Sequence, residues 1–196
     1  MTRDLVELES ASRQLADSVR RLIDATIRTQ IDAAALVDIS HRIDCATEEL
    51  SATQMPDSFG VQSTEDGRPM PWGNVMIGVR NPVAPPLVVN HGSEGAVWSD
   101  FILGAAYEGP PGLVHGGVCA MVLDHVLGAT AHQPGRPAFT GTLHIRYLRG
   151  TPLGPLRADA RIDRIEGVKT FAIGHIADAQ GITVTAEGVF LHRRGS

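Results

Sequence analysis

Apolar residues recur at helical spacing along the first quarter of the chain. Leucine, valine and isoleucine side chains stand three, four or seven residues apart, which places them on one side of a helix. This apolar stripe consists of Leu5, Leu8, Leu15, Val19, Leu22 and Ile23, and it continues with a drift in phase through Ile27, Ile31 and Leu36. Because no proline precedes Pro56, we predict helices over residues 2–52, as a helical hairpin or as one long broken helix. The stripe has to pack against the rest of the chain or against a partner chain.

The pattern changes after this segment. Residues 56–82 have little periodicity and many turn-forming residues, as in "MPDSFGVQSTEDGRPMPWG". We therefore predict a helical extension over residues 1–55, a linker or loop over 56–82 and one main domain over 83–196.

In the main domain, segments of strand composition surround one helical segment. The predicted helix covers residues 118–131, and "HGG", which follows two prolines, lies at or just before its start. The predicted strands cover residues 86–90, 95–107, 138–150, 156–167, 169–181 and 182–194. Since the connections are short, we expect neighbouring strands to run antiparallel. The pattern thus predicts the α+β class, with a curved antiparallel sheet wrapped around one central helix.

Composition excludes several classes of protein. Hydrophobic residues form 43% of the 196-residue chain, so it can bury a core, and a net charge of −5 disfavours a binder of nucleic acids or anionic membranes. No window is apolar enough to span a membrane. Cys45 and Cys119 do not form a metal-type pair, and the N-terminus does not resemble a secretory signal. We expect a soluble, cytoplasmic protein with no metal and no cofactor.

The central helix contains one acid in an apolar run. Only Asp124 and His125 are strongly polar between Val118 and Ala129, and a helix that is apolar on every side is buried. An unpaired buried carboxylate costs several kcal/mol. Asp124 therefore has either a structural partner or a chemical role. His125 points about 100° away on the helix, and we interpret it as a core or interface histidine.

Glycines at the start of this helix have two interpretations. Gly116 and Gly117 let a ligand approach the backbone, where unpaired N–H groups and the helix dipole bind an anion or polarise a carbonyl oxygen. Alternatively, they only permit close packing. From the glycines alone, the two interpretations are about equally good.

The spacing between the helix start and the acid predicts a dimer. His115 and Asp124 are nine residues apart, which is about half a turn around the helix and ~13 Å along it. They cannot share one reaction site within a chain, but two antiparallel copies of the helix across a two-fold axis bring them together. We expect an obligate homodimer, with a tetramer left open.

The string "AYEGPPGLVHGGVCAMVLDHVLGA" resembles the central motif of the hotdog-fold acyl-CoA thioesterases, in the branch of the phenylacetate-pathway and thioesterase-superfamily-member proteins. The match consists of H-G-G, six residues and D, and the later strands "FTGTLHIRYLRGTPLG" and "IDRIEGVKTF" are similar as well. The resemblance covers about residues 83–194. It implies a hotdog fold, hydrolysis of acyl-CoA to free acid and CoA, and a place in lipid metabolism.

The resemblance also implies site residues. Asp124 matches the catalytic acid, as nucleophile or general base, and Gly117 matches the backbone that polarises the thioester carbonyl. His115 matches a pocket residue near that carbonyl, and Thr140 matches a hydroxyl that orients the water or the acid. The expected substrate-binding residues are Gly116, Val118, Gly109 and Thr142. Gly109 stands where some relatives have asparagine, so the role of that side chain is absent here.

Two alternatives remain from the sequence. A hotdog enoyl-thioester hydratase needs an aspartate and a histidine that converge on one substrate, and His125 is badly oriented for that. A non-catalytic acyl-CoA sensor or carrier gains nothing from a carboxylate at the thioester, although the N-terminal helices would suit a regulator. Coenzyme A phosphates would need one or two cations from the later strands.

Overall fold

The computed structural model describes residues 3–64, 67, 69–132 and 137–192. These divide into two compact units, which consist of Met1–Asn74 with Val79–Pro82 and of Val75–Gly78 with Val83–Ser196. The predicted boundaries at residues 55 and 82 stay predictions. Within the described residues, no helix is long and apolar enough to cross a membrane.

The first unit contains two helices and a short ladder. Helix α1 covers Arg3–Arg28 and α2 covers Ala33–Ser51. The break between them ends at Asp32, whose side chain accepts a hydrogen bond from the Ala35 N–H and caps α2. Strands β1 (Gln62–Ser63) and β2 (Pro69–Met70) pair antiparallel. Helix α2 has no buried residue, and several residues of the predicted stripe are exposed, namely Leu8, Leu15, Ile27, Ile31 and Leu36.

The second unit is a six-stranded antiparallel sheet with one helix packed on it. Its elements are β3 (Asn90–His91), β4 (Val97–Leu103), α3 (Gly116–Ala131), β5 (Ala138–Tyr147), β6 (Gly154–Glu166), β7 (Lys169–Asp178) and β8 (Gly181–His192). The predicted α+β class and antiparallel pairing are confirmed. Helix α3 begins two residues earlier than predicted, and residues 193–194 of the last predicted strand lie outside the described residues.

The order of strands in the sheet is β3-β4-β6-β7-β8-β5. Consecutive strands β5 and β6 are therefore not neighbours, and β5 lies at an edge beside β8. Arg149 follows β5 and donates to the Asp178 carboxylate and to the Gly181 carbonyl. These bonds tie the chain after β5 to the turn between β7 and β8. They hold the pKa of Asp178 down at about 2, mainly through the hydrogen bond from Arg149.

Helix α3 supplies much of the core. Its buried side chains are Cys119, Val122, Leu123, Val126, Leu127, Thr130 and Ala131. Two glycines, Gly174 on β7 and Gly188 on β8, let the helix come close to the sheet. A Cβ at Gly174 would lie 2.7 Å from Leu127 Cδ1 and 2.6 Å from the Asp159 carbonyl oxygen. Close approach at these glycines thus sets where α3, and every side chain on it, lies against the sheet.

We predict that Gly174→Ala lowers the free energy of unfolding by about 1–3 kcal/mol, because a methyl group there overpacks the helix–sheet contact. Urea denaturation followed by circular dichroism measures the change. Gly104→Ala is the matched control, since a Cβ at Gly104 has no atom within 4 Å. Equal stability of the two variants would contradict the proposed contact between α3 and the sheet.

Candidate functional site

The chain reaches α3 through a hydrogen-bonded turn. Gly112 donates its N–H to Glu108 Oε1 at 2.6 Å and adopts φ +73°, while Gly109 donates to the Leu113 carbonyl at 2.9 Å. A Cβ at Gly109 would lie 2.8 Å from His115 Cα. Gly109 is thus needed for the chain to pass its own backbone before the helix. Its predicted role in substrate binding stays a prediction.

The first peptide of α3 is held at both ends. His115 is the N-cap, and its Nδ1 accepts the Gly117 N–H at 3.0 Å. The carbonyl of the same peptide belongs to Gly116, and it accepts the Tyr147 hydroxyl at 2.8 Å. Burial, and to a smaller extent the Cys119 thiolate, raises the pKa of Tyr147. The hydroxyl therefore remains a donor at neutral pH.

Both glycines make room for these two rings. A Cβ at Gly116 would lie 3.2 Å from the Tyr147 hydroxyl oxygen, and a Cβ at Gly117 would lie 3.1 Å from His115 Nδ1. The packing interpretation of the glycine pair is therefore correct for this chain. It does not exclude the ligand interpretation, since one amide at the helix start remains open.

That open amide is the N–H of Gly116. Among the described residues it has no hydrogen-bond acceptor, whereas the Gly117 N–H is already bound to His115. The sequence predicted that the helix start at Gly116 and Gly117 polarises a carbonyl oxygen. Of these two amides, that of Gly116, the first residue of α3, is the available donor, with the positive end of the helix dipole behind it.

Asp124 lies half-buried in the middle of α3. Thr140 Oγ1 on β5 donates to Asp124 Oδ1 at 2.8 Å. Among the described residues nothing donates to Oδ2, so one carboxylate oxygen is held and the other is open. The structure therefore brings Asp124 and Thr140 together, as the resemblance implied.

Thr142 does not join this pair. On a regular strand Thr140 and Thr142 share one face, but the register of β5 against β8 shifts between them. Thr140 is opposite the buried Phe190, whereas Thr142 is opposite Val189, so the two threonines lie on opposite faces. The β-bulge at Gly141 thus reverses the alternation that a regular strand would have, and Thr142 lies on the face away from the Asp124–Thr140 pair.

The helix start and the acid are separate within one chain. Helix α3 is continuous from Gly116 to Ala131, so the helical geometry of about half a turn and ~13 Å between His115 and Asp124 applies. Val118, another expected substrate contact, is half-buried and packs against the core. Burial lowers the pKa of His125, against a smaller opposing effect of Asp124, so its neutral form is favoured.

A buried chain of hydroxyl groups supports the start of α3. Cys119 Sγ donates to Thr151 Oγ1 at 3.7 Å, Thr151 donates to Thr183 at 2.8 Å, and Thr183 donates to the Ile176 carbonyl at 3.2 Å. The Thr151 carbonyl also accepts the Val114 N–H, just before the N-cap. Burial raises the pKa of Cys119, which fits an inert thiol. The sequence carried no signal for Thr151, since "GTPLG" is typical of any turn.

Three cations on or near the later strands are paired with acids. Arg149 binds Asp178, Arg157 binds Asp100 and Asp159, and Arg164 binds Asp163 and Glu166. Among the described residues, Arg146, Arg161 and Lys169 have no such ion pair. Two of these three, Arg146 and Arg161, line the groove described next.

A groove of about 900 Å³ lies on the sheet face opposite α3. Its lining includes His144, Arg146, Asp159, His175 and Glu187, but neither Asp124 nor His115. The groove is therefore not the site built around α3. Among the described residues, no cluster of three or more histidine, cysteine or acidic side chains is arranged to hold a metal ion.

Comparisons with known proteins point in one direction. The thioesterase superfamily model matches residues 111–185. A crystal structure described as a thioesterase superfamily protein is 32% identical, with a TM-score of 0.81, over 92% of this chain and 94% of that chain. A protein of Bacillus halodurans, solved with CoA, is 25% identical with a TM-score of 0.50, over 56% of this chain and 75% of that chain.

A curated relative also matches part of the chain. Acyl-coenzyme A thioesterase THEM5 of Homo sapiens is 37% identical over 94 residues, which are 46% of this chain and 38% of that protein. The mouse protein of the same name is matched over 42% of its length. The chain thus spans about two fifths of the length of these curated relatives.

Proposed function

This chain belongs to the thioesterase superfamily and has its hotdog fold, and from this premise we propose that it hydrolyses acyl-CoA thioesters to a free acid and CoA. The observation that carries the proposal is the carboxylate of Asp124, held by Thr140 on an otherwise apolar helix. A thioesterase relative in Homo sapiens and a related protein solved with CoA support the substrate class.

Asp124 activates the attack on the thioester. The open Oδ2 either takes a proton from a water molecule, whose oxygen then bonds to the thioester carbon, or attacks that carbon itself. In both routes the carbonyl oxygen becomes negative. When the tetrahedral intermediate collapses, the C–S bond breaks and the CoA sulfur leaves with the electron pair and takes up a proton. In the second route, water then hydrolyses the resulting anhydride.

The Gly116 amide polarises the thioester carbonyl. A preorganised N–H at a helix N-terminus stabilises the negative oxygen without any reorganisation. The Gly117 N–H donates to His115 Nδ1. It therefore contributes by orienting the His115 ring and does not contact the thioester carbonyl itself.

Two copies of the chain complete the site in this proposal. Helical geometry separates the glycine end of α3 from Asp124 within one chain. The glycine end of each copy therefore acts together with Asp124 of the other copy. Strand β5 supports the pairing, because it is an edge strand whose 10 residues include the exposed Phe139 and Tyr147. We propose a homodimer and leave a tetramer open. The cytoplasmic location and the place in lipid metabolism stay predictions, and the unpaired Cys45 and Cys119 fit a reducing compartment.

We predict that Asp124→Asn lowers kcat/KM by about 10²–10⁴-fold, because the amide neither accepts a proton nor attacks the thioester. The measurement is release of free CoA thiol across short, long and aromatic acyl-CoAs. Asp100→Asn, which removes an exposed carboxylate of β4 on the face opposite α3, is the control. Retained turnover in a folded Asp124→Asn protein would overturn the role of Asp124. Water addition to crotonyl-CoA without thiol release would favour a hydratase, and tight binding without reaction a carrier.

We predict that Gly116→Pro lowers kcat by about 10²–10³-fold, as expected when a carbonyl-polarising donor is lost. Proline suits the first position of a helix, and His115 already has the extended backbone that precedes proline, with φ −59° and ψ 133°. Gly116→Ala is the matched control, since it adds a Cβ beside Tyr147 but keeps the N–H. If both variants lose the same activity, the Gly116 amide is not the donor.

Complementation tests the shared site. If one copy supplies the glycine end and the other the acid, a heterodimer of Gly116→Pro and Asp124→Asn contains one intact site. Random assembly of the two inactive chains then restores about one quarter of the wild-type activity. Coexpression of the two variants with different affinity tags, followed by the thiol-release assay, measures it. A mixture as inactive as its parents would refute a site built from two copies.

A further inference from the structure

We propose that Tyr147 is a positioning residue that acts through the Gly116–Gly117 peptide to orient the His115 ring, so that its Nε2–H faces the ligand as a donor. The inference deepens the proposed function and rests on it for its catalytic consequence. The hydrogen bonds on which it is built are independent of any activity.

Tyr147 contacts the start of α3 directly. Tyr147 is the last residue of β5, and its hydroxyl donates to the Gly116 carbonyl at 2.8 Å. Its ring occupies the space in which a side chain at residue 116 would stand, since a Cβ there would lie 3.2–3.4 Å from three ring and hydroxyl atoms. The sheet edge therefore holds this peptide directly.

The other end of the same peptide group is the Gly117 N–H. The carbonyl of Gly116 and the N–H of Gly117 belong to one planar peptide group, so a bond to the oxygen fixes the direction of the N–H. That N–H donates to His115 Nδ1 at 3.0 Å. A donor on the carbonyl also polarises the peptide and strengthens its N–H as a donor. Tyr147 and His115 are thus linked by two hydrogen bonds in series.

The hydrogen bond from Gly117 determines which ring nitrogen of the neutral His115 carries the proton. An Nδ1 that accepts a hydrogen bond carries no proton, so the neutral ring carries it on Nε2. The His115 side chain is exposed, and its Nε2 has no hydrogen-bond partner among the described residues. Without Tyr147, the Gly116 carbonyl keeps only the helical hydrogen bond from the Ala120 N–H. The peptide, and with it the Gly117 N–H that selects this tautomer, is then held less firmly.

Tyr147→Phe tests the inference, because it keeps the ring over Gly116 and removes only the hydroxyl. We expect kcat to fall about three- to tenfold, less than for loss of a direct donor, with KM within about twofold. Tyr107→Phe is the matched control, since it also removes a hydroxyl that donates to a carbonyl at 2.8 Å, that of Val83. Equal losses in the two variants would overturn the proposal.

A double-mutant cycle separates positioning from a general effect on stability. If Tyr147 acts through His115, then Tyr147→Phe has little further effect on kcat/KM in a His115→Ala background. Multiplicative losses would show that Tyr147 does not act through His115.

Nitrogen-15 NMR supplies a readout that does not depend on activity. At about pH 8, where an ordinary imidazole is neutral, the wild-type His115 ring should show a protonated Nε2 and a coupling between Nδ1 and the Gly117 amide nitrogen across the hydrogen bond. Tyr147→Phe should weaken that coupling and move the Gly117 amide resonance. Absence of the coupling in the wild-type protein, or no change in the variant, would overturn the relay. An enzyme inactive on every acyl-CoA but with the coupling intact would instead overturn the proposed function alone.

Discussion

The whole second unit depends on the need to bury a helix that is apolar on every side. Helix α3 has seven buried side chains and few polar ones, so the sheet has to cover it closely, and Gly174 and Gly188 permit that approach. Few polar groups remain on α3: the amides of its first turn, the side chains of Asp124 and His125, and the Thr130 hydroxyl, which donates to the Leu127 carbonyl. Because a buried polar group without a partner is costly, the Gly116 amide and the second oxygen of Asp124, which stay open, stand out among them. The candidate site therefore depends on which of these groups have a hydrogen-bond partner and which stay open.

The periodicities of the sequence predicted the helices and the longer strands well, because helical and strand periods are local properties, whereas the strand predicted over 86–90 overlaps β3 only at Asn90. The order of the strands could not be predicted in the same way. A short connection usually joins neighbours in a sheet, yet residues 148–153 lead from the edge strand β5 to β6 in the middle, with Arg149 bound at the turn between β7 and β8. The bulge at Gly141 was equally hidden, since a glycine within a strand pattern signals a bulge only weakly. That one residue separates Thr140, which reaches Asp124, from Thr142, which does not.

The candidate site was predictable where it rested on the motif and not where it rested on tertiary contacts. Asp124 was recognisable because an acid in an apolar helix demands an explanation. The partners of the glycines were not, since Tyr147 is 31 residues from Gly116 along the chain. Thr151 and Thr183 have no pattern at all in the sequence, although their hydroxyl groups form a buried chain below the first turn of α3. Gly116 and Gly117 leave space for the Tyr147 and His115 rings. The Gly116 N–H, at the start of the helix, has no acceptor among the described residues.

Charge balance explains why one open amide is sufficient for the proposed reaction. Whether Asp124 removes a proton from water or attacks the thioester itself, its negative charge disappears as the carbonyl oxygen becomes negative. The net charge of the site therefore does not change, and the two negative charges never coexist. The reaction needs a hydrogen-bond donor beside the carbonyl oxygen, which becomes negative. The helix dipole falls off within the first turn, so the dipole of the same helix does not act at Asp124 in the middle of α3. In the proposed homodimer, the Gly116 amide at the start of the second α3 is the donor that stabilises this charge.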